Sequence, residues 1–175
     1  MSTLVIEELD SRAAAAAIPA LSEVLIDCVE GGASIGFVLP MTVAKAEAFW
    51  RDVASAVAAG TTHLLVARDG AGIAGTVQLQ KATKENQPHR ADVSKLLVHR
   101  RARRSGIGGR LMREVERLAA REGRRVLVLD TATPEAERLY VRTGWQRCGE
   151  IPDYALLPDG SLCDTIVYWK HVATT

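Results

Sequence analysis

At the centre of the chain stands Arg103-Arg104-Ser105-Gly106-Ile107-Gly108-Gly109-Arg110. It follows an extended, mostly apolar segment, Ala91 to Val98, and it precedes a helix that the spacing of Ile107, Leu111 and Val115 predicts. Glycines at a strand-to-helix junction let backbone N–H groups turn towards a ligand, and the helix N-terminus adds about half a positive charge. The stretch therefore predicts an anion site, and its arginines favour a polyphosphate.

Two common nucleotide-binding motifs do not fit this stretch. A P-loop needs Lys and then Ser or Thr after its last glycine, whereas Arg110 and Leu111 follow Gly109. The dinucleotide-binding fingerprint matches at Gly106 and Gly108, but Leu111 stands at its third glycine position. ATP hydrolysis and dinucleotide binding are therefore disfavoured. A tight glycine turn on an arginine-rich surface without a ligand remains an alternative.

The periodicity on either side of the stretch predicts an α/β fold. We expect strands at Leu4 to Ile6, Thr62 to Arg68, Ile73 to Gln80, Ala91 to Val98, Val126 to Leu129, Gln146 to Glu150 and Thr165 to Lys170. Helices are expected after Asp10, where Pro19 either kinks one helix or begins a second at Ala20, then along Val43 to Val57, from about Gly108 to Gly123, and from Pro134 to Thr143. The strand, helix, strand unit around the stretch predicts a parallel strand pair.

Length and composition indicate one ordinary globular domain over residues 1–175. The chain has 22 Lys and Arg and 21 Asp and Glu, which gives a net charge of +1. A protein with this balance lacks the overall positive field of a dedicated nucleic-acid binder. No apolar run approaches the ~18 residues of a membrane span. The widely spaced Cys28, Cys148 and Cys163 predict buried free thiols in a reducing compartment, and four scattered histidines predict no metal site. A cytoplasmic protein without membrane attachment is expected.

Two motifs resemble those of the GCN5-related N-acetyltransferase (GNAT) superfamily. Arg103-x-x-Gly106-x-Gly108 is similar to its acyl-CoA signature, and Ala136-x-x-Leu139-Tyr140-x-x-x-Gly144-Trp145 resembles a later segment of that superfamily. The order of elements agrees over nearly the whole chain. More narrowly, Gly31 to Phe37, the Ala91 to Val98 strand, Asp130-Thr131 and Pro152-x-Tyr154 resemble the tabtoxin-resistance acetyltransferase branch.

The resemblance implies a single-domain GNAT acyl-CoA N-acyltransferase fold, in which a splayed parallel strand pair lies within a mixed central sheet flanked by helices. It implies that the acetyl-CoA diphosphate lies on amides from Arg104 to Gly109 and that the pantetheine arm pairs with the preceding strand. The expected cofactor-binding residues are Leu97, Val98, His99, Arg103, Arg104, Ser105, Gly106, Ile107, Gly108, Gly109, Arg110 and Thr133. Thr133 departs from the family, since many members have Asn there.

Acetyl transfer requires a neutral amine, yet an amine with a pKa near 10.4 is only about 0.1% neutral at pH 7. Asp92 and Asp130 interrupt apolar strands, where partial burial would make a carboxylate a better proton acceptor, so both are candidate bases. Either could instead hold the substrate ammonium or serve only as an edge or capping residue. Tyr140 is the candidate group that protonates the CoA thiolate or donates a hydrogen bond to it, with core packing as its alternative. Ser34, Phe37, Asp130 and Tyr154 are the expected substrate contacts.

We therefore expect an acyltransferase that transfers acetyl from acetyl-CoA to a small-molecule amine by direct attack, without a metal. The branch resemblance suggests an amino-acid-like toxin or antibiotic as acceptor, and therefore a role in resistance. Amino acids, polyamines and peptide N-termini remain open as acceptors, and a homodimer remains open as the assembly. The alternative function is a non-enzymatic regulator that contacts nucleic-acid phosphates through the arginines from Arg100 to Arg110.

Overall fold

The computed structural model describes residues 4–173. Its helices are α1 (Ser11–Ala16), α2 (Ile18–Glu30), α3 (Val43–Ala58), α4 (Ile107–Arg121) and α5 (Pro134–Arg142). Its strands are β1 (Val5–Leu9), β2 (Thr62–Asp69), β3 (Gly72–Lys81), β4 (Arg90–Val98), β5 (Val126–Thr131), β6 (Gln146–Leu156) and β7 (Leu162–His171), and a short 3-10 helix covers Arg100–Ala102. The strands form one sheet in the order β1-β2-β3-β4-β5-β7-β6.

Helices cover the two faces of the sheet unequally. On one face, Leu111, Met112 and Val115 of α4 pack with Leu79, Leu127 and other strand residues in a continuous core that also includes Tyr140 of α5. On the other face, α1, α2 and α3 form a second core around Trp50, which is 1% exposed. This second core lies mainly over β1, β2 and β3. Its buried strand residues are Leu9, Leu64, Val66, Ile73 and, at its margin, Leu97 of β4.

The parallel pair separates along its length, as the fold class predicted. Neighbouring strands pair antiparallel except β4 and β5, whose parallel register runs only from Arg90 and Val126 to Asp92 and Val128. Beyond that point β4 continues to Val98 and β5 to Thr131, but the two strands no longer pair with each other. The separation leaves a gap between the two strands at the end where α4 begins.

A β-bulge interrupts β4 beside this gap. Thr76 of β3 pairs with Leu97, and Gln78 pairs with Ser94, so two residues of β4 oppose the single residue Val77. The extra residue brings Lys95 into the left-handed region, with φ of 51°. Bulges of this kind redirect side chains, and the hydroxyl of Thr76 donates to the carbonyl of Lys95 at 3.0 Å to stabilise it.

The predicted elements are all present, with differences at their ends. The second helix begins at Ile18, two residues before the predicted Ala20, because proline is tolerated in the first turn of a helix. Strand β6 extends to Leu156 through a register irregularity between Ile151 and Ala155, well past the predicted end at Glu150. Burial of all three cysteines was wrong, since only Cys28 is buried and Cys148 is exposed. Within residues 4–173, no helix is long and apolar enough to cross a membrane.

Candidate active site

Six consecutive backbone amides, those of residues 104–109, have no hydrogen-bond acceptor within residues 4–173. The chain reaches this arrangement through two left-handed residues, Arg104 with φ of 61° and Gly106 with φ of 80°. The first helical hydrogen bond of α4 is the one from the amide of Arg110 to the carbonyl of Gly106, so the amides before it stay open. Together with the helix dipole, these amides form an anion cradle, the name used below for residues 104–109.

Gly108 lets α5 approach the anion cradle closely. A side chain at position 108 would place its Cβ 3.3 Å from Cδ2 of Leu139 and 3.9 Å from Cγ2 of Val98. Leu139 of α5 therefore packs directly against the first turn of α4. The contact explains why the two sequence motifs occur in one chain, because the second motif supplies the residue that packs on the first.

Three of the arginines near the anion cradle, Arg100, Arg101 and Arg110, have partners elsewhere in the protein. Arg100 donates to Asp27 at 2.8 Å, and Arg101 donates to Asp69 at 2.6 Å. Arg110 reaches the carbonyl of Leu4 at 3.3 Å, beside β1. Arg103 stays near the cradle, with its Nε 3.3 Å from the carbonyl of Val98. The amides of the anion cradle therefore remain open, whereas most of the neighbouring guanidinium groups do not.

The ion pair between Asp27 and Arg100 ties α2 to the segment that precedes the anion cradle. Burial alone would raise the pKa of Asp27, but hydrogen bonds from the amide and the side chain of Arg100, with the nearby His99, outweigh it and lower the pKa overall. Oδ2 of Asp27 accepts from the Arg100 amide at 2.7 Å. The carboxylate thus fixes the backbone that enters the cradle.

At the end of β4, the backbone amides of neighbouring residues point in different directions. The amide of His99 donates to the carbonyl of Ala74 at 2.9 Å, and the carbonyl of His99 accepts from Ala102 at 2.8 Å. Because backbone polar groups alternate in direction along a strand, Leu97 also faces β3, where it pairs with Thr76. The amides of Leu97 and His99 are therefore directed at β3, and the amide of Val98 is the one that faces the gap. Contact of the pantetheine arm with these three residues stays a prediction.

An open groove of about 350 Å³ lies on the sheet face opposite α4. Its lining residues are Gln80, Asp92, Val93, Ser94, Val128, Leu129, Asp130, Ile151, Tyr154, Thr165 and Val167. Asp92 and Asp130 come from the two parallel strands and lie on the same face, since Val128 pairs with Asp92 and Asp130 follows it by two residues. Three of the predicted site residues, Asp92, Asp130 and Tyr154, thus line one groove.

The two carboxylates differ in their surroundings. Asp92 accepts from Nη1 of Arg90 at 2.7 Å. Oδ2 of Asp130 accepts from the hydroxyl of Thr165 at 2.8 Å, and Thr165 is buried. Asp92 is half-buried as expected, whereas Asp130 is exposed, so the expected partial burial of Asp130 is wrong. Asp130 is therefore open to a substrate, and a neutral donor orients it.

A comparison with known families bears on the identity of the fold. A family described as "Acetyltransferase (GNAT) domain" matches residues 37–153 of the chain. The chain belongs to the GNAT acetyltransferase family. The predicted superfamily and the acyltransferase class are thereby confirmed, whereas the tabtoxin-resistance branch stays a prediction.

Solved structures share the fold of this GNAT acetyltransferase. The structure of yncA from Salmonella typhimurium, with its cofactor acetyl-CoA, has a TM-score of 0.80 at 16% identity and covers 99% of this chain and 96% of its own. A ribosomal-protein-alanine N-acetyltransferase from Brucella melitensis has a TM-score of 0.77 at 22% identity, with coverages of 96% and 99%. An N-acetyltransferase from Staphylococcus aureus Mu50 has a TM-score of 0.80 at 15% identity, with coverages of 97% and 99%.

Tyr140 of this GNAT acetyltransferase lies in an aromatic cluster between α5 and the sheet. It is 6% exposed, and its ring centroid lies 6.1 Å from that of Trp145 and 5.9 Å from that of Tyr168. Burial, with a smaller contribution from the charge of Asp130, raises the pKa of the Tyr140 hydroxyl far above its ordinary value. The side chain therefore packs in the core and also retains its proton over the whole physiological range.

The segment 31–42 between α2 and α3, called the strap below, lies beside the groove. Ser34 Oγ lies 3.6 Å from the thiol of Cys163 on β7, and the amide of Leu39 donates to the carbonyl of Pro158 at 2.9 Å. Phe37 packs edge-on against Phe49 of α3 with 5.3 Å between ring centroids. The predicted substrate residues Ser34 and Phe37 thus belong to a segment that bridges the helices and the β6–β7 hairpin.

Thr133 caps α5. Its hydroxyl lies 3.4 Å from the amide of Ala136, and its own amide lies 3.4 Å from the hydroxyl of Thr131. This local role accounts for a threonine at the position, because threonine is a preferred N-cap residue.

Sequence reasoning missed Lys95 and Thr165. Nζ of Lys95 donates to the carbonyl of Ile35 in the strap at 2.9 Å, and Thr165 holds Asp130. A charged residue within the run Val93-Ser94-Lys95-Leu96-Leu97-Val98 is the same kind of signal that singled out Asp92. No such signal exists for Thr165, since a threonine in a β-strand is ordinary.

Proposed function

We propose that this GNAT acetyltransferase transfers the acetyl group of acetyl-CoA to the primary amine of a small molecule bound in the groove. The observation that carries the proposal is the position of six open amides where α4 begins, next to the gap between β4 and β5. The acetyl-CoA in the structure of the Salmonella relative supports the identity of the donor.

The residues present fit the CoA group. The amides of the anion cradle would take the diphosphate, because an oxyanion gains from N–H donors and from the helix dipole together. The exposed Arg103 and Arg104 add positive charge at its edge. The amide of Val98 would take an acceptor of the pantetheine arm, whose peptide-like amides suit pairing with a strand edge. The thioester end then lies at the gap, within reach of the groove.

The groove residues would prepare the acceptor amine. Asp130 would bind the ammonium and accept its proton, directly or through water, while Thr165 fixes the orientation of the carboxylate. Asp92 would add a second negative charge from the neighbouring strand β4, where it pairs with Val128, two residues before Asp130. The variants Asp130→Asn and Asp92→Asn distinguish the carboxylate that accepts the proton from one that only binds the ammonium.

Tyr140 would donate a proton or a hydrogen bond to the departing sulfur. When the amine nitrogen bonds to the acetyl carbon, the carbon–sulfur bond breaks and CoA leaves as a thiolate. Because burial raises its pKa, Tyr140 is a weaker acid than a thiol and would stabilise the thiolate mainly through an O–H···S hydrogen bond.

The proposal is tested by the release of free CoA from acetyl-CoA in the presence of amino acids, polyamines, peptides with free N-termini and amino-acid-like toxins. Acetylation of one of these amines, seen as a product that gains one acetyl group, supports it. Tight CoA binding with no turnover on any amine would contradict it.

The regulator alternative has less structural support. Arg100 and Arg101 are bound to Asp27 and Asp69, so the arginine segment is not an open basic surface. Duplex DNA binding that falls steeply with salt, together with failure of CoA to bind, would favour the regulator over the enzyme. A resistance function and an amino-acid-like toxin as acceptor rest on the branch resemblance and are tested by the same panel.

A further inference from the structure

Lys95 brings a positive charge to the edge of the groove without a carboxylate partner. The bulge of β4 presents it next to Ser94, which lines the groove. Its Nζ donates to the carbonyl of Ile35 at 2.9 Å and lies 3.7 Å from the position that a Cβ would take at Gly36. In the part of the chain that the structure describes, no Asp or Glu oxygen lies within salt-bridge distance of this ammonium.

The surroundings of Lys95 compensate its charge only in part. Nζ lies 6.0 Å from the ring centroid of Phe37 and 5.6 Å from that of Phe49, and both aromatic faces attract a cation weakly. Burial lowers the pKa of Lys95, and the charge of Asp130 offsets this only partly. An ammonium has three N–H donors, and Ile35 takes one of them. A half-buried ammonium with two N–H donors left over would be stabilised by an added anion.

We propose that Lys95 binds an anionic group of the acceptor, such as a carboxylate, and so selects amines that carry a negative charge near the nucleophilic nitrogen. The inference rests on the proposed function, with Asp130 at the amine end of the same acceptor. This role of Lys95 disfavours polyamines, one of the acceptor classes that the sequence leaves open, because a polyamine would bring its second ammonium towards Lys95 and be repelled.

Lys45 provides a matched control. It donates to the carbonyl of Val38 at 3.0 Å, and it faces the same Phe37 ring at 5.9 Å from the centroid. It therefore also holds the strap through a carbonyl and an aromatic ring. Unlike Lys95, it is exposed and lies on α3 away from the groove lining.

The test pairs each enzyme variant with two acceptors that have the same amine. One acceptor is an amino acid, and the other is its carboxamide, which lacks the negative charge. Lys95→Met should raise KM for the amino acid by about tenfold to a hundredfold, the range of one charge-assisted hydrogen bond, and should change KM for the carboxamide much less. Lys95→Arg should retain most of the preference, and Lys45→Met should affect both acceptors equally.

A second measurement uses the desamino carboxylic acid of the same acceptor as a competitive inhibitor. Its inhibition should weaken in Lys95→Met and persist in Lys45→Met. The inference is overturned if Lys95→Met affects the two acceptors equally, which would leave Lys95 only a strap-holding role, or if the unaltered enzyme prefers polyamines. If amines of every class fail while CoA still binds, the inference falls together with amine transfer; if amino acids react without dependence on Lys95, only the inference falls.

Discussion

The buried hydroxyl of Thr165 on β7 donates to Oδ2 of Asp130 at the end of β5, with 2.8 Å between the two oxygens. The same hydroxyl oxygen lies 3.3 Å from the carbonyl of Thr131. The carboxylate is exposed but oriented, so its other oxygen is free for an incoming ammonium. The antiparallel pairing of β5 and β7 therefore contributes a positioning residue to the groove.

Replacing Asp130 tests its role as proton acceptor. Asp130→Asn should lower kcat/KM by about a hundredfold to ten-thousandfold at pH 7, because general base catalysis typically contributes that much. The loss should shrink as the pH rises towards the pKa of the free amine, about 10.4, since solvent then deprotonates the acceptor. Steady-state kinetics from pH 6 to 10 measure both effects.

The matched variants are Asp92→Asn and Thr165→Val. Asp92→Asn should raise KM more than it lowers kcat if Asp92 only binds the ammonium. Thr165→Val should give a smaller loss than Asp130→Asn, because it misorients the carboxylate without removing it. If the pH profile of Asp130→Asn runs parallel to that of the unaltered enzyme, Asp130 takes no part in proton transfer.

Replacing Tyr140 separates catalysis from packing. Tyr140→Phe should lower kcat by about tenfold to a hundredfold and leave CoA affinity unchanged, because the ring still fills the aromatic cluster while the proton donor is lost. Since the pKa of Tyr140 is raised, the unaltered enzyme should keep this donor at alkaline pH. Tyr168→Phe removes a hydroxyl from the adjacent ring, where it donates to Glu137, and serves as the control. Equal kcat in Tyr140→Phe and the unaltered enzyme would assign Tyr140 to packing alone.

Filling the anion cradle should abolish CoA binding. Gly108→Trp adds a side chain that must displace Leu139, whose Cδ2 would lie 3.3 Å from the new Cβ, or project across the open amides. Calorimetric titration should then detect no CoA binding. Gly149→Trp is the control, because a Cβ there meets nothing within 4 Å and no positive φ is required. Undiminished CoA affinity in a folded Gly108→Trp protein would place CoA elsewhere.

The ion pair between Asp27 and Arg100 should make stability depend on pH. Since the pKa of Asp27 is lowered in the folded state, its contribution is present above its unfolded pKa of about 3.9 and is lost as the pH falls through the folded value. Asp27→Asn should reduce the free energy of unfolding by about 1–3 kcal/mol at pH 7 and by less at pH 3. Urea denaturation at the two pH values measures the difference, and an equal loss at both would contradict the electrostatic origin.

The sequence predicted the elements and the parallel pair because those depend on local periodicity. It also predicted that Asp92, Asp130 and Tyr154 belong to one site, through the resemblance to a family. It could not predict the bulge at Lys95, since the left-handed φ arises from a mismatch in register between β3 and β4 and not from a glycine. It likewise could not predict that Arg100 and Arg101 bind Asp27 and Asp69, because those partners are distant in the chain.

The exposed Asp130 shows a second limit of sequence reasoning. A carboxylate at the end of an apolar strand suggests burial, yet β5 ends in Asp130 and Thr131 at the place where the neighbouring β4 has already separated from it. The strand end is therefore open on the groove side. Exposure at this residue is set by the geometry of the whole sheet, which no local pattern encodes.

The most direct test of the account is the position of the CoA diphosphate in a crystal structure of the protein grown with acetyl-CoA. The account predicts phosphate oxygens at hydrogen-bond distance, about 3 Å, from several amides of residues 104–109, with the pantetheine arm along Val98 in the gap between β4 and β5. A structure with CoA bound at another surface and these amides facing solvent would contradict it.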